Sequence, residues 1–104
     1  MFSANVRDFD SKIFNCVDQA LLALGQDEKE HVLFALDNEY RITAKNIVSN
    51  AARLEEALKE TLGPSGSAFV IMHTLENITR SFKITQPYAG NLAQAIDAAK
   101  KSMI

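Results

Sequence analysis

The chain has 104 residues, enough for one domain and too few for two of ordinary size, so residues 1–104 are read as a single unit. Hydrophobic residues make up 47% against 23% charged, which excludes wholesale disorder, and 11 basic against 13 acidic side chains disfavour nucleic acid as a partner. The single Cys16 excludes an internal disulfide framework and a multi-cysteine zinc site, and no apolar run approaches the ~18 residues of a membrane span.

The N-terminal stretch carries charges and lacks the continuous apolar core of a secretion signal, so the expectation is a cytoplasmic protein away from membranes. From Ser3 or Asp8 to Leu24, the residues Val6, Phe9, Ile13, Val17, Ala20, Leu21 and Leu24 recur at spacings of three and four. That is the stripe of an amphipathic helix, and Gly25 is placed to stop it, since glycine tolerates a positive φ. A second helix is predicted to start after Asp27, where Asp27 and Glu30 have capping-box spacing. Its apolar face is Val32, Leu33, Leu36 and Tyr40, while Phe34 points elsewhere and marks either a wider buried surface or a contact with another chain.

Between Arg41 and Asn50 the β-branched Ile42, Thr43, Ile47 and Val48 disfavour a long helix. An extended connector that drops Ile42 and Ile47 into the core is predicted there, with Ser49 or Asn50 capping a third helix. That helix carries Leu54, Leu58 and Leu62 on one edge and ends at Gly63-Pro64-Ser65-Gly66. The fourth, Ala68 to Phe82, has Ile71, Leu75, Ile78 and Phe82 as its stripe, broadened by Val70 and Met72, and is expected at the centre of the bundle. A fifth helix begins near Pro87 or Asn91 and carries Leu92, Ile96, Ala99 and Met103. Its alanines Ala89, Ala93, Ala95, Ala98 and Ala99 form a face that another helix could approach closely. The fold expected is therefore all-α, a compact bundle of about five helices.

Candidate chemistry is sparse. His31, His73 and Cys16 have no metal-ligand spacing, no nucleophilic constellation is visible, and no metal, cofactor or catalytic residue is assigned. Cys16 reads as a small core hydrophobe and His31 as a surface residue among Glu28, Lys29 and Glu30. On the fourth helix, His73, Glu76, Asn77 and Arg80 share a polar edge. That edge could hold a ligand with Glu76 as acceptor and Arg80 as anion anchor, or it is the wet side of a core helix. The Gly63-Pro64-Ser65-Gly66 turn lacks the lysine of a phosphate-binding loop, so turn geometry explains it. The Asn77-Ile78-Thr79 sequon falls inside a helix of a chain without a secretion signal and is set aside. As a DNA-reading helix, the fourth would present Ala68, Phe69, Val70, Ile71 and Met72 to bases, and those residues want a core.

The stretch Leu36-Asp37-Asn38-Glu39-Tyr40, a connector with Ile47, the run Glu56-Ala57-Leu58-Lys59-Glu60-Thr61-Leu62-Gly63 and an apolar helix through Ile78 together resemble a known family. It is the archaeal Nitrosopumilus output domains, small helical modules inferred to be output parts of signalling proteins, and the likeness spans residues 9–82. The resemblance implies an α-helical interaction or regulatory module and carries over no active-site residues. The expectation is a non-enzymatic interaction module acting as a homodimer through Phe34, Phe69, Met72 and the terminal alanine face. The alternatives are a bundle holding a small apolar or anionic ligand beside His73, Glu76 and Arg80, and, less favoured, a small DNA-binding regulator.

Overall fold

The structure, a computed structural model, describes residues 4–83 and 91–102, with side chains described from residue 9 to 83 and from 91 to 101. Four helices make up the described residues: α1 (Ala4–Leu22), α2 (Gln26–Asn38), α3 (Ala51–Ser81) and α4 (Leu92–Ser102). The radius of gyration is 12.9 Å, close to the ~13 Å of a compact 100-residue domain.

The first helix follows its stripe. Phe9, Ile13, Cys16, Val17, Ala20 and Leu21 are all buried, and the chain leaves the helix through two turn residues, Ala23 and Leu24, before Gly25. Gly25 has φ 114, a conformation that side chains rarely adopt, and it serves as the N-cap of α2. The capping box expected from Asp27 is not formed. The helix starts two residues earlier, at Gln26, no side chain caps it, and Asp27 and Glu28 sit inside its first turn, where their charges favour the positive helix end. Lys29 pairs with Asp18 at 3.2 Å and ties α2 to α1.

After α2, Arg41 takes a left-handed φ of 57, which brings the Ile42 N–H to the Leu36 carbonyl at 2.8 Å. Ile42 and Ile47 are buried as expected, although residues 44–50 are wound into turns and are not extended. Asn46 does the winding. Its side chain accepts from the Thr43 N–H at 2.8 Å and donates to the Arg41 carbonyl at 2.9 Å, and its own carbonyl accepts from Asn50 Nδ2 at 2.9 Å. Asn50 therefore stands at the N-cap of α3 with its side chain turned back to the connector, and no side chain caps that helix.

The two helices expected on either side of Gly63 are one element, α3, bent at a single residue, so there are four helices among the described residues where about five were expected. Gly63 has φ 79 and ψ 175, which breaks the helical path, and Pro64 lacks the N–H that would continue it. Pro64 is suited to the first position of a helix, so the distal half (residues 64–81) restarts at once without a loop.

The core is one cluster. Ile13, Val17 and Leu21 of α1, Val32 and Leu36 of α2, Leu54, Leu58, Val70 and Ile78 of α3, and Leu92, Ile96 and Ala99 of α4 form it. Each fully buried aliphatic side chain contributes about 1.5–3 kcal/mol through removal from water. Phe9 and Phe82 meet edge to face with centroids 5.4 Å apart, and the Lys12 ammonium lies 5.9 Å from the Phe82 centroid. The fifth segment appears as α4, starting at Leu92; Pro87, Ala89 and Met103 lie outside the described residues. Its N-terminus is held by the Glu55 carboxylate, which accepts the Leu92 N–H at 3.0 Å.

Candidate functional site

The distal half of α3 turns a different face inward from the one its hydrophobic residues suggest. The buried stripe is Ser67, Val70, Thr74 and Ile78, while Ile71 and Leu75 are only half-buried. Both hydroxyl residues satisfy themselves on their own helix: Thr74 Oγ1 donates to the Val70 carbonyl at 2.7 Å and Ser67 Oγ to the Pro64 carbonyl at 3.2 Å. A serine and a threonine can thus occupy core positions without an orphaned polar group.

The apolar side chains displaced from that stripe face outward. Phe69 is 37% and Met72 56% exposed, and beside them runs an open groove of about 450 Å³. Its lining is Pro64, Ser67, Ala68, Ile71, Met72 and Leu75 of the distal half, with Lys59 reaching in from the proximal side of the bend. The bend makes this possible, because it sets Lys59 alongside a helix face that begins only at Pro64. The Lys59 ammonium is 3.7 Å from Glu55 Oε2, with its side chain 59% exposed. The groove is thus an apolar trough with one cation on its rim.

His73, Glu76 and Arg80 do share one edge of this helix. His73 Nδ1 is 3.7 Å from Glu76 Oε1, and its ring lies against Phe69 with centroids 4.3 Å apart. Arg80 is exposed at the C-terminal end, where its charge acts on Cys16. None of the three lines the groove, which runs beside them. Asn77, on the same edge, is structural: Nδ2 donates to the Cys16 carbonyl at 3.0 Å and ties α3 to α1. Burial pushes the Cys16 thiol above its ordinary 9.0, against the opposing effects of Ser81 and Arg80, so it stays a neutral thiol facing the Ser81 hydroxyl at 3.8 Å.

Phe34 on α2 is 69% exposed and belongs to neither of two surface cavities. The second of these, about 190 Å³, lies at the connector between Phe14, Leu33, Asp37, Ile42, Thr43 and Ala44. The terminal alanine face corrects an expectation. Ala95 and Ala99 are buried in the core and Ala93 packs against it, so these small residues let α4 approach its own chain and do not await another. Lys59 was not among the candidate site residues read from the sequence, and Pro64 was read only as part of a turn. The signal for them is the Gly63-Pro64 break followed by two adjacent i, i+4 rows of small and apolar residues.

Among the described residues, no group of three or more His, Cys, Asp or Glu side chains could hold a metal ion, and no helix is long and apolar enough to cross a membrane. The chain matches no protein-family model, no curated protein and no solved structure.

Proposed function

We propose that the chain is a non-enzymatic helical interaction module, of the kind that forms the output part of a signalling or regulatory protein, and that it docks its partner on the distal half of α3. The observation that carries this reading is the groove of about 450 Å³ on that half, flanked by the outward-facing Phe69 and Met72. Exposed apolar surface of this kind is the usual mark of a contact site, and aromatic and methionine side chains are enriched at such contacts. The resemblance of residues 9–82 to the output-domain pattern supports the same class. So does the state of Cys16, which is buried and neutral where a nucleophile would be exposed and ionised.

The test is a photo-reactive amino acid placed at Phe69, with the same label at exposed Gln19 of α1 as control, expressed in the native cells. A discrete protein adduct at position 69 and none at position 19 supports the docking face. Equal labelling at both positions, or none at either, overturns it.

The second reading, a small apolar or anionic ligand beside His73, Glu76 and Arg80, draws on the contact of His73 with Phe69 and its approach to Glu76 at 3.7 Å. It requires that His73→Ala with Arg80→Ala remove ligand binding while leaving the fold intact.

A further inference from the structure

We propose that the cavity of about 190 Å³ at the connector is a binding site for a small ring-bearing primary ammonium, with Asp37 as its charge partner. It shares no lining residue with the α3 groove, so it goes beyond the docking-face reading and is tested independently of it. Three elements meet there: Phe14 comes from α1, Leu33 and Asp37 from α2, and Ile42, Thr43 and Ala44 from the connector. The left-handed turn at Arg41 creates the junction, because it folds the connector back until the Ile42 N–H reaches the Leu36 carbonyl at 2.8 Å. Position 44 then contributes only a methyl group to the lining, and the space that a larger side chain would take is left open.

Burial orders the cavity from floor to rim. Ile42 is covered, Phe14, Leu33, Thr43 and Ala44 are half-buried, and Asp37 is exposed. A cavity of about 150 Å³ walled by Leu, Ile and Phe stays dry and takes up benzene. The walls here have the same chemistry and a slightly larger volume, which suits one benzene ring with a short polar arm. The polar groups decide the charge of that arm. An anion would need N–H donors, and those of the loop are engaged. Ile42 N–H donates to the Leu36 carbonyl, Thr43 N–H to Asn46 Oδ1 at 2.8 Å and Lys45 N–H to Thr43 Oγ1 at 3.2 Å. What remains is a carboxylate and an aromatic ring in one lining, the pair that recognises an ammonium by its charge and by the negative face of the ring.

The neighbouring charges leave Asp37 to that role. On α1, Asp10 accepts the Val48 N–H and Asp18 holds Lys29; on α2, Glu30 accepts from Gln26, and Glu39 is exposed with the same sign as Asp37. Arg41 and Lys45 are exposed beside the lining in sequence, yet neither lines the cavity. Among the described residues, no cation forms an ion pair with Asp37.

The experiment is a heteronuclear NMR titration of the full 104-residue chain with benzylamine, an ammonium at neutral pH, against benzyl alcohol and benzoate as neutral and anionic controls. A ligand of this size binds in the millimolar range. Benzylamine should shift the resonances of Phe14, Leu33 and residues 42–44 and bind at least about twofold tighter than benzyl alcohol, with benzoate weakest. Asp37 is exposed, so Asp37→Asn keeps the fold and the shape of the cavity. It should weaken benzylamine by about two- to fivefold, the worth of an exposed ion pair, and leave benzyl alcohol unchanged. Ala44→Leu, with circular dichroism confirming the fold, should fill the cavity and remove binding of both. No shifts up to about 50 mM ligand, or shifts centred on residues 64–75, would overturn the site. So would benzoate binding as tightly as benzylamine, an Asp37→Asn variant that binds the amine undiminished, or a folded Ala44→Leu variant that does the same.

Discussion

Replacing Gly63 with alanine isolates the device that builds the groove. A Cβ added at Gly63 meets nothing within 4 Å, so crowding contributes nothing to the cost. What remains is the backbone: φ 79 with ψ 175 lies in a region almost reserved for glycine, where an L-residue bears about 1–3 kcal/mol of strain. Alanine also restricts the unfolded chain, which offsets about 0.4–1 kcal/mol of that. The net loss for Gly63→Ala is about 1–2 kcal/mol, which for a domain of this size corresponds to roughly 4–16 °C in Tm. Thermal and urea unfolding followed by circular dichroism measure it. The companion variant is D-alanine at position 63, introduced by ligation, which prefers positive φ and should be at least as stable as the parent. If Gly63→Ala unfolds within about 0.5 kcal/mol of the parent, the bend is not held by that conformation and the argument for the groove's origin fails. Relaxation of residue 63 to a negative φ would also redirect the whole distal half, so Gly63→Ala should remove the discrete adduct at position 69 even where the protein remains folded.

Three further outcomes follow from single contacts. Glu55→Ala removes the side chain that accepts the Leu92 N–H, so α4 should exchange its amide protons faster, with an overall loss of about 0.5–2 kcal/mol as for a lost cap. Thr74→Val should be within about 1 kcal/mol of the parent, because the Val70 carbonyl loses only the threonine hydroxyl and no buried donor is orphaned; a much larger loss in chemical denaturation would show that the hydroxyl has another role. The hydrogen bond from the Tyr40 hydroxyl to Glu60 holds the phenol above its ordinary 10.0. A raised folded-state value favours the protonated form, so its contribution to stability is complete below the ordinary value and is lost as pH rises through the folded one. The stability difference between the parent and Tyr40→Phe should therefore be constant at neutral pH and shrink above about pH 10, and a difference that grows there would refute the assignment.

Where one apolar face alone decides, periodicity places the elements. The stripe from Phe9 to Leu21 puts α1 in the core, and Ile42 and Ile47 are buried in a connector with no helical pattern of its own. Two kinds of detail were hidden, each for a physical reason. Capping misled because Asp27 and Asn50 have side chains that can cap: glycine geometry at Gly25 starts α2 earlier, and Asn50, although it stands at the N-cap of α3 as expected, spends its side chain on the Asn46 carbonyl. The distal half of α3 misled more deeply. A pattern of hydrophobic residues assigns Ile71, Leu75, Ile78 and Phe82 to the core, whereas Ser67 and Thr74 occupy two of the inward positions. Their hydroxyls are satisfied by carbonyls of their own helix, so the core bears no desolvation cost that hydrophobicity could reveal.

The same substitution of roles explains why the candidate site exists at all. An ordinary amphipathic helix directs its apolar residues inward and leaves nothing over. In the distal half of α3, two inward positions are taken by self-satisfied hydroxyl residues, and Ala68, Phe69 and Met72 are left facing water. The contrast with α4 is direct. That helix also looked apolar and rich in small residues, yet Ala95 and Ala99 are spent on close packing within the chain and leave no such surface. Leaving Phe69 and Met72 outside forgoes part of the stabilisation that burial of such side chains supplies, about 1.5–3 kcal/mol each when complete. A partner that covers them recovers that stabilisation on binding, which is why the docking face is assigned to α3 and not to the alanines of α4.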